Sequence, residues 1–233
     1  MIDACPHSAP ETRSTLMTTS KMDRTFDGGC RRCPRLVEFL AEVRTAHPHY
    51  HAAPVAPFGA HRAPLLIVGL APGKHGANAT GRPFTGDHAG ILLFETLYAY
   101  GFCNQPRGDR PDDGLQLINC RITNAVKCLP PGNKPTPAEI RTCNSFLAAD
   151  LELLPRPAIV VALGRIAHNA VVSALDRRQA QFVFGHGICH QLEDRWWLID
   201  SYHCSRYNTQ TKRLTPAMFG DVFAQARRLL DHR

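Results

Sequence analysis

Two uninterrupted apolar runs, each closed by a glycine, constrain this chain more than any other feature: LLIVG over Leu65–Gly69 and AIVVALG over Ala158–Gly164. Runs this short, rich in Val and Ile and lacking polar alternation, predict strands buried on both faces. Such strands require helices on either side, and helical spacing fills the intervals between them. Leu36, Val37, Leu40 and Val43 share one face of the stretch Cys33–Val43. Ile91, Leu92, Leu93, Leu97 and Tyr98 mark a second helix over Ala89–Tyr100. KPTPAEIRTC opens a third, with Thr136 as N-cap, Pro137 at the first helical position and Glu139 completing a capping box. It is expected to continue to Leu154. A fourth follows Gly164 as far as Leu175, and Thr215-Pro216 caps a last one ending at Asp231. Leu115–Val126 reads as a strand with alternation, and Gln181–Asp200 as two more short strands. The class is therefore α/β, with a mostly parallel sheet covered on both faces.

A sheet of this kind binds ligands beyond the carboxyl ends of its strands. Two loops leave such ends: the one after Leu65–Gly69, and SYHCSRYN after the strand WWLID. They are placed to close over one site. The first holds six glycines, two threonines, two prolines and a single acidic residue, Asp87, between Gly69 and Gly90. Glycines let other atoms reach the main chain, which first suggests a phosphate cradle. The spacing argues otherwise. Gly69 and Gly73 are separated by three residues where a Walker A loop needs four, and His75 follows Lys74. The dinucleotide pattern G-x-G-x-x-G is absent too. One aromatic, Phe84, beside bare backbone and one carboxylate suits a planar base better than a triphosphate.

A formal charge of +7 and a pI near 9.1 point to a polyanionic partner, nucleic acid before membrane. No run approaches the roughly 18 apolar residues of a membrane span, and no secretory signal is visible. Residues 1–24 are polar and rich in Ser and Thr, so a disordered extension is expected, with Met17 and Met22 as alternative starts. Nine cysteines, an odd number, argue against a closed disulfide framework and for reduced thiols in a cytoplasmic protein. CRRC supplies Cys30 and Cys33; Cys128 and Cys143 form a second pair with fourteen residues between them. Four thiolates in two such pairs suit tetrahedral zinc or an iron–sulfur cluster, and zinc comes first on spacing alone. A thioredoxin-type pair is disfavoured, because Cys30 and Cys33 precede a helix in a basic setting instead of following a strand. Cys5, Cys103, Cys120, Cys189 and Cys204 have no comparable partner.

CRRCPRL, GLAPG with GRPFTGD, NAVKCLPPGNKPTPAEI, VALGRIA and SYHCSRYNTQT, in this order, resemble the family 5 uracil-DNA glycosylases and, more distantly, family 4. The likeness covers the chain from Cys30 onward. It implies a three-layer α/β/α fold in one glycosylase domain, residues 25–233, acting as a monomer on DNA. The implied activity is monofunctional hydrolysis of the N-glycosidic bond of uracil, extending in the family to hypoxanthine, hydroxymethyluracil and ethenocytosine. It also implies a structural 4Fe-4S cluster on Cys30, Cys33, Cys128 and Cys143, reversing the preference for zinc.

Residue by residue, the resemblance makes Asp87 the catalytic carboxylate, His203 the donor to the departing base and Asn133 an assisting amide. Phe84 becomes the stacking ring. Gly69, Leu70, Ala71 and Gly73 would line the base, and Asn124 would read its edge. The loop Ser205–Arg213 would enter the minor groove through Ser205, Arg206, Tyr207, Asn208, Lys212 and Arg213. Asp87 also has a plain structural alternative, capping the helix that GDHAG opens. Four positions depart from the family pattern. Ala79 replaces a common Arg, Cys204 a common Pro or apolar residue and Lys212 a usual Gly; Leu70 stands where relatives carry an acidic group. Two other classes stay in contention: a zinc- or cluster-containing nucleic-acid binder without activity, and a nucleotide hydrolase using the glycine-rich loop.

Overall fold

The computed structural model describes residues 26–231, so the expected extension 1–24, with Met17, Met22 and Cys5, lies outside the described residues. Six strands form one sheet in the order β1-β3-β2-β4-β6-β5. They are β1 (Phe58–Gly59), β2 (Leu65–Gly69), β3 (Cys120–Asn124), β4 (Ala158–Leu163), β5 (Cys189–Glu193) and β6 (Trp196–Ser201). The inner four run parallel, while β1 and β5 add antiparallel edges. Every residue of β2, β3 and β4 is buried.

The two faces are filled by alternating side chains, as a period of two demands. Leu65, Ile67, Ile159, Val161 and Ile199 meet the helices α3 (His88–Ala99) and α7 (Pro216–Asp231). Leu66, Val68, Val160, Ala162 and Leu198 meet α4 (Pro137–Glu152) and α5 (Arg165–Ala174). This is the α/β/α sandwich. Helix α1 (Pro34–Ala46) lies outside it, with Leu36 against Val126, Cys143 and Phe146, and with Leu40 and Val43 against Ala52 and Leu129. The capping box on α4 forms as expected: Glu139 N–H donates to Thr136 Oγ1 (3.2 Å) and Thr136 N–H donates to Glu139 Oε2 (2.7 Å).

Two expectations need correction. Leu115–Asn119 does not join β3: Asn119 takes a positive φ of 52°, and the strand starts at Cys120. Within β3 the expected alternation holds, with Cys120 and Ile122 in the apolar core and Arg121 and Thr123 turned to Asp150 of α4, although both sets are buried. Ser205–Arg213 contains a short helix, α6 (Arg206–Gln210), where a loop was expected. Ser205 caps it, and sequences this polar carry no apolar periodicity to betray a single turn. Two small elements also had no sequence signal: β1, two residues long, and α2 (Ala77–Thr80).

Candidate active site

The chain leaves β2 toward β3 on one side and β4 toward β6 on the other. The crevice between their carboxyl ends is a topological switch point, where open α/β sheets bind ligands. A cleft of about 1000 Å³, open to solvent, lies there. Its walls carry Leu70, Ala71, Gly73, Phe84, Asp87, Asn124, Asn133, His203, Ser205 and Arg206 from the sequence reading, together with Ala77, His88 and Ala89. Five separate segments converge on it.

The glycine-rich loop makes room chiefly for the protein's own side chains. A Cβ at Gly73 or Gly76 would strike the Asp87 carboxylate, and one at Gly69 would strike Asn124 Oδ1 and the Phe84 ring. Asp87 stands at the N-cap position of α3 yet makes no side-chain cap. Its carboxylate turns back into the loop and accepts from the N–H of Ala77 at 3.0 Å and from that of Gly73. The capping alternative is therefore excluded. Burial raises the Asp87 carboxyl above its ordinary value, and the two backbone donors oppose that rise only in part.

Phe84 is 6% exposed and holds a left-handed φ of 60°. Its ring lies 6.2 Å from that of His203, tilted by 25°. The turn bearing Phe84 and Asp87 is fastened by Arg82, whose Nη2 donates to both carboxylate oxygens of Asp113 (2.9 and 2.8 Å) while Nε donates to Thr85 Oγ1 (2.6 Å). Gly90 lacks a Cβ that would collide with the Phe84 carbonyl. No motif flagged Arg82 or Asp113, because their partnership spans an irregular loop.

His203 emerges from β6 and crosses to the end of β4, its Cβ lying 3.5 Å from where a Cβ on Gly164 would stand. Desolvation pushes its imidazole down to about 4, so the ring is neutral at physiological pH. Its backbone carbonyl accepts from Asn208 Nδ2 at 2.8 Å. Thus the Asn208 amide is tied to His203 while the residue stays half-exposed, and Ser205 Oγ is occupied in capping α6. Arg206 borders both this cleft and the neighbouring groove under α3, while Tyr207 is 70% exposed. Arg213 lies over the Tyr202 ring at 4.6 Å, and Lys212 takes a φ of 57°. Cys204, beside His203, is fully buried in the core, and burial pushes its thiol up to about 12.

Cys30, Cys33, Cys128 and Cys143 meet around a second cavity, between α1, α4 and the segment after β3. Burial and the neighbouring sulfurs push the Cys33 thiol up to about 11 and that of Cys128 to about 12, as expected where four sulfurs converge without a cation. A mononuclear zinc, with Zn–S near 2.3 Å, would draw its four sulfurs to about 3.8 Å of one another. Four sulfurs bordering one cavity form a donor set suited to such an ion or to an iron–sulfur cluster. Cys128 and Asn133 share one short segment, so this cavity and the cleft are joined by the same stretch of chain.

Fold and cleft together define a class: an α/β/α protein with an open cleft at the switch point, lined by a carboxylate, an imidazole and an aromatic ring. A profile of the Uracil DNA glycosylase superfamily matches residues 56–227. The chain is 45% identical over 205 residues to the Type-5 uracil-DNA glycosylase of Thermus thermophilus, covering 86% of this chain and 93% of that one. It is 43% identical to the Type-5 enzyme of Mycobacterium leprae, covering 86% and 91%. It is 34% identical to the Type-4 enzyme of Archaeoglobus fulgidus, covering 72% and 70%. The chain belongs to the uracil DNA glycosylase superfamily, among its Type-5 members. Among the described residues, no helix is long and apolar enough to cross a membrane.

Proposed function

We propose that this chain is a monofunctional glycosylase that hydrolyses the bond between uracil and deoxyribose in DNA, leaving an abasic site for base excision repair. The observation that carries this reading is the meeting of the Asp87 carboxylate, the His203 ring, the Phe84 ring and the Asn124 amide in one cleft. A base in duplex DNA cannot reach them, so the nucleotide swings out at a cost of a few kcal/mol. Arg206, Lys212 and Arg213 hold phosphates, and exposed Tyr207 stands at the rim to fill the vacated stack. The extruded uracil stacks on Phe84, and Asn124 presents both a donor and an acceptor to its edge.

As the C1′–N1 bond breaks, the electron pair leaves with the base and positive charge grows on the sugar. A neutral His203 donates an N–H bond to the base oxygen, stabilising the anion without requiring a proton to be given up. Asp87 stabilises the cationic sugar and takes a proton from the water that forms the new C1′–O bond. That proton finally neutralises the uracil anion. Asn133, which also lines the cleft, orients the water. The raised basicity of Asp87 serves this role, since a base is most useful when its pKa moves toward the working pH.

The four cysteines hold a 4Fe-4S cluster, whose contribution when bound is structural: it ties α1 and α4 to the segment carrying Asn133. The protein is read as a cytoplasmic monomer acting on DNA. Duplex DNA containing one uracil, incubated with the protein and then treated with alkali, tests the activity. Strand cleavage at the uracil position is expected without added metal. Failure to release free uracil from either single- or double-stranded DNA overturns the proposal.

A further inference from the structure

The wall that Lys127 contributes to the cysteine cavity continues into a buried network of charge. Lys127, Arg121 and Asp150 are 1%, 4% and 6% exposed. Arg121 donates through Nε and Nη2 to Asp150 Oδ1 (3.3 Å each), and through Nη1 to the Gly59 carbonyl (2.8 Å). Lys127 Nζ donates to Asp150 Oδ2 at 3.2 Å and to Thr123 Oγ1, which in turn donates to Asp150 Oδ2 at 3.0 Å. Among the described residues, two cations thus share one carboxylate in this network, leaving one positive charge out of water. The other buried carboxylate on α4, Glu139, is engaged by Arg35 through bonds of 2.8 and 2.7 Å. An unmatched buried charge is strongly destabilising unless an anion answers it.

The answering anion has an obvious place. Four thiolates around an iron–sulfur core carry net negative charge in its oxidised and reduced states alike, and Lys127 borders that cavity. Its backbone N–H already donates to Cys143 Sγ at 3.3 Å, and Asp150 sits two turns beyond Cys143 on α4. We propose that Lys127, held in place by Asp150 and Thr123, is the counter-charge of the cluster, raising its reduction potential and slowing its loss. This rests on the reading of the four cysteines as cluster ligands. Lys127 is a positioning residue, touching neither base nor DNA.

The test uses holoprotein and a mediated titration with dithionite, followed by visible absorbance and electron paramagnetic resonance. Lys127→Met leaves Arg121 and Asp150 as a neutral pair, so its midpoint moves to more negative potential. A change of about tenfold in the reduced-to-oxidised ratio, 59 mV for a one-electron couple, is expected. Asp150→Asn removes the carboxylate and moves the midpoint the opposite way; Lys127→Arg restores the wild-type value. Iron release to a chelator is faster in Lys127→Met alone. Opposite signs in the two charge variants are something a merely structural role would not produce. An unmoved midpoint in Lys127→Met, or shifts of one sign in both, overturns the inference; if Lys127→Met fails to hold a cluster, the direction of the Asp150→Asn shift decides. Wild-type protein without iron overturns the cluster reading itself, and this inference with it.

Discussion

Replacing Gly73 with alanine tests whether the glycine-rich loop exists to seat Asp87. The added methyl would meet Asp87 Oδ1 first, then Cγ at 3.1 Å and Oδ2 at 3.3 Å, all closer than ordinary van der Waals contact. The carboxylate cannot stay: Oδ1 has to withdraw by about 1 Å, and a displacement of that size at a reacting group costs on the order of 100-fold in rate. Retreat also stretches the bond from Ala77 N–H, now 3.0 Å. Overpacking of this kind costs about 1–3 kcal/mol, and a domain near 200 residues loses about 2–4 °C of Tm per kcal/mol. The variant should therefore remain folded at 25 °C. Single-turnover release of uracil, at enzyme concentrations well above the DNA, isolates the chemical step from binding. The expected result is a rate constant down about 100-fold with little change in the concentration dependence of binding. A folded Gly73→Ala protein excising uracil at the wild-type rate would refute the reasoning, because it would mean that the carboxylate position observed here is not the one chemistry uses.

Asp87→Asn should lower excision about 100-fold or more, and the acid limb of the wild-type pH–rate profile should lie above the ordinary aspartate value of 3.8, since burial raises this carboxyl. Because the folded pKa is raised, Asp87 favours the fold below its unfolded pKa and loses that contribution as pH rises through the folded one. Denaturant titrations should accordingly show the stability of the wild type, relative to Asp87→Asn, improving on acidification. Arg206→Ala should weaken DNA binding and reduce the slope of log K against log salt by about 0.9, the signature of one lost phosphate contact. Asn208→Ala should leave that slope alone and slow the chemical step, since it frees the His203 carbonyl. Lys212→Gly should raise thermal stability by about 0.5–1 kcal/mol, read by calorimetry, because Lys212 holds a φ of 57° that glycine adopts without strain.

Strands β2 and β4 were legible because they are buried on both faces and spell continuous apolar runs; Ala158–Leu163 needed no context to be read. Helix α4 was equally plain, since Thr136, Pro137 and Glu139 state its start in local chemistry. Asp87 was harder. The letters Gly-Asp-His-Ala offer a helix cap as readily as a carboxylate aimed at a ligand, and only the positions of Gly73 and Gly76, some ten residues earlier, decide between them. Asn208 offers a related ambiguity. A polar residue in a basic loop looks like a DNA contact until the fold brings its amide under the His203 carbonyl. Arg82 with Asp113, and Lys127 with Asp150, are pairings across distant segments that no local pattern encodes.

Among the described residues, seven with side chains take left-handed backbone, and three of them bear on the cleft. Phe84, Asn133 and Lys212 all take φ between 56° and 60°, and each belongs to a segment that frames the cleft or its rim. Such a conformation costs about 1–2 kcal/mol for a residue bearing a Cβ. Glycine would relieve it, and at Phe84 would remove the ring as well. The loop resolves this conflict by dividing the labour: its glycines stand at 69, 73, 76 and 90, where other atoms must approach, and the strained position keeps its aromatic. The 6% exposure of Phe84 and the Arg82–Asp113 clamp hold that strain in place. Under the proposed function this pre-formed turn is the shelf for an extruded base, and the binding energy of the nucleotide need not be spent on ordering the residues that receive it.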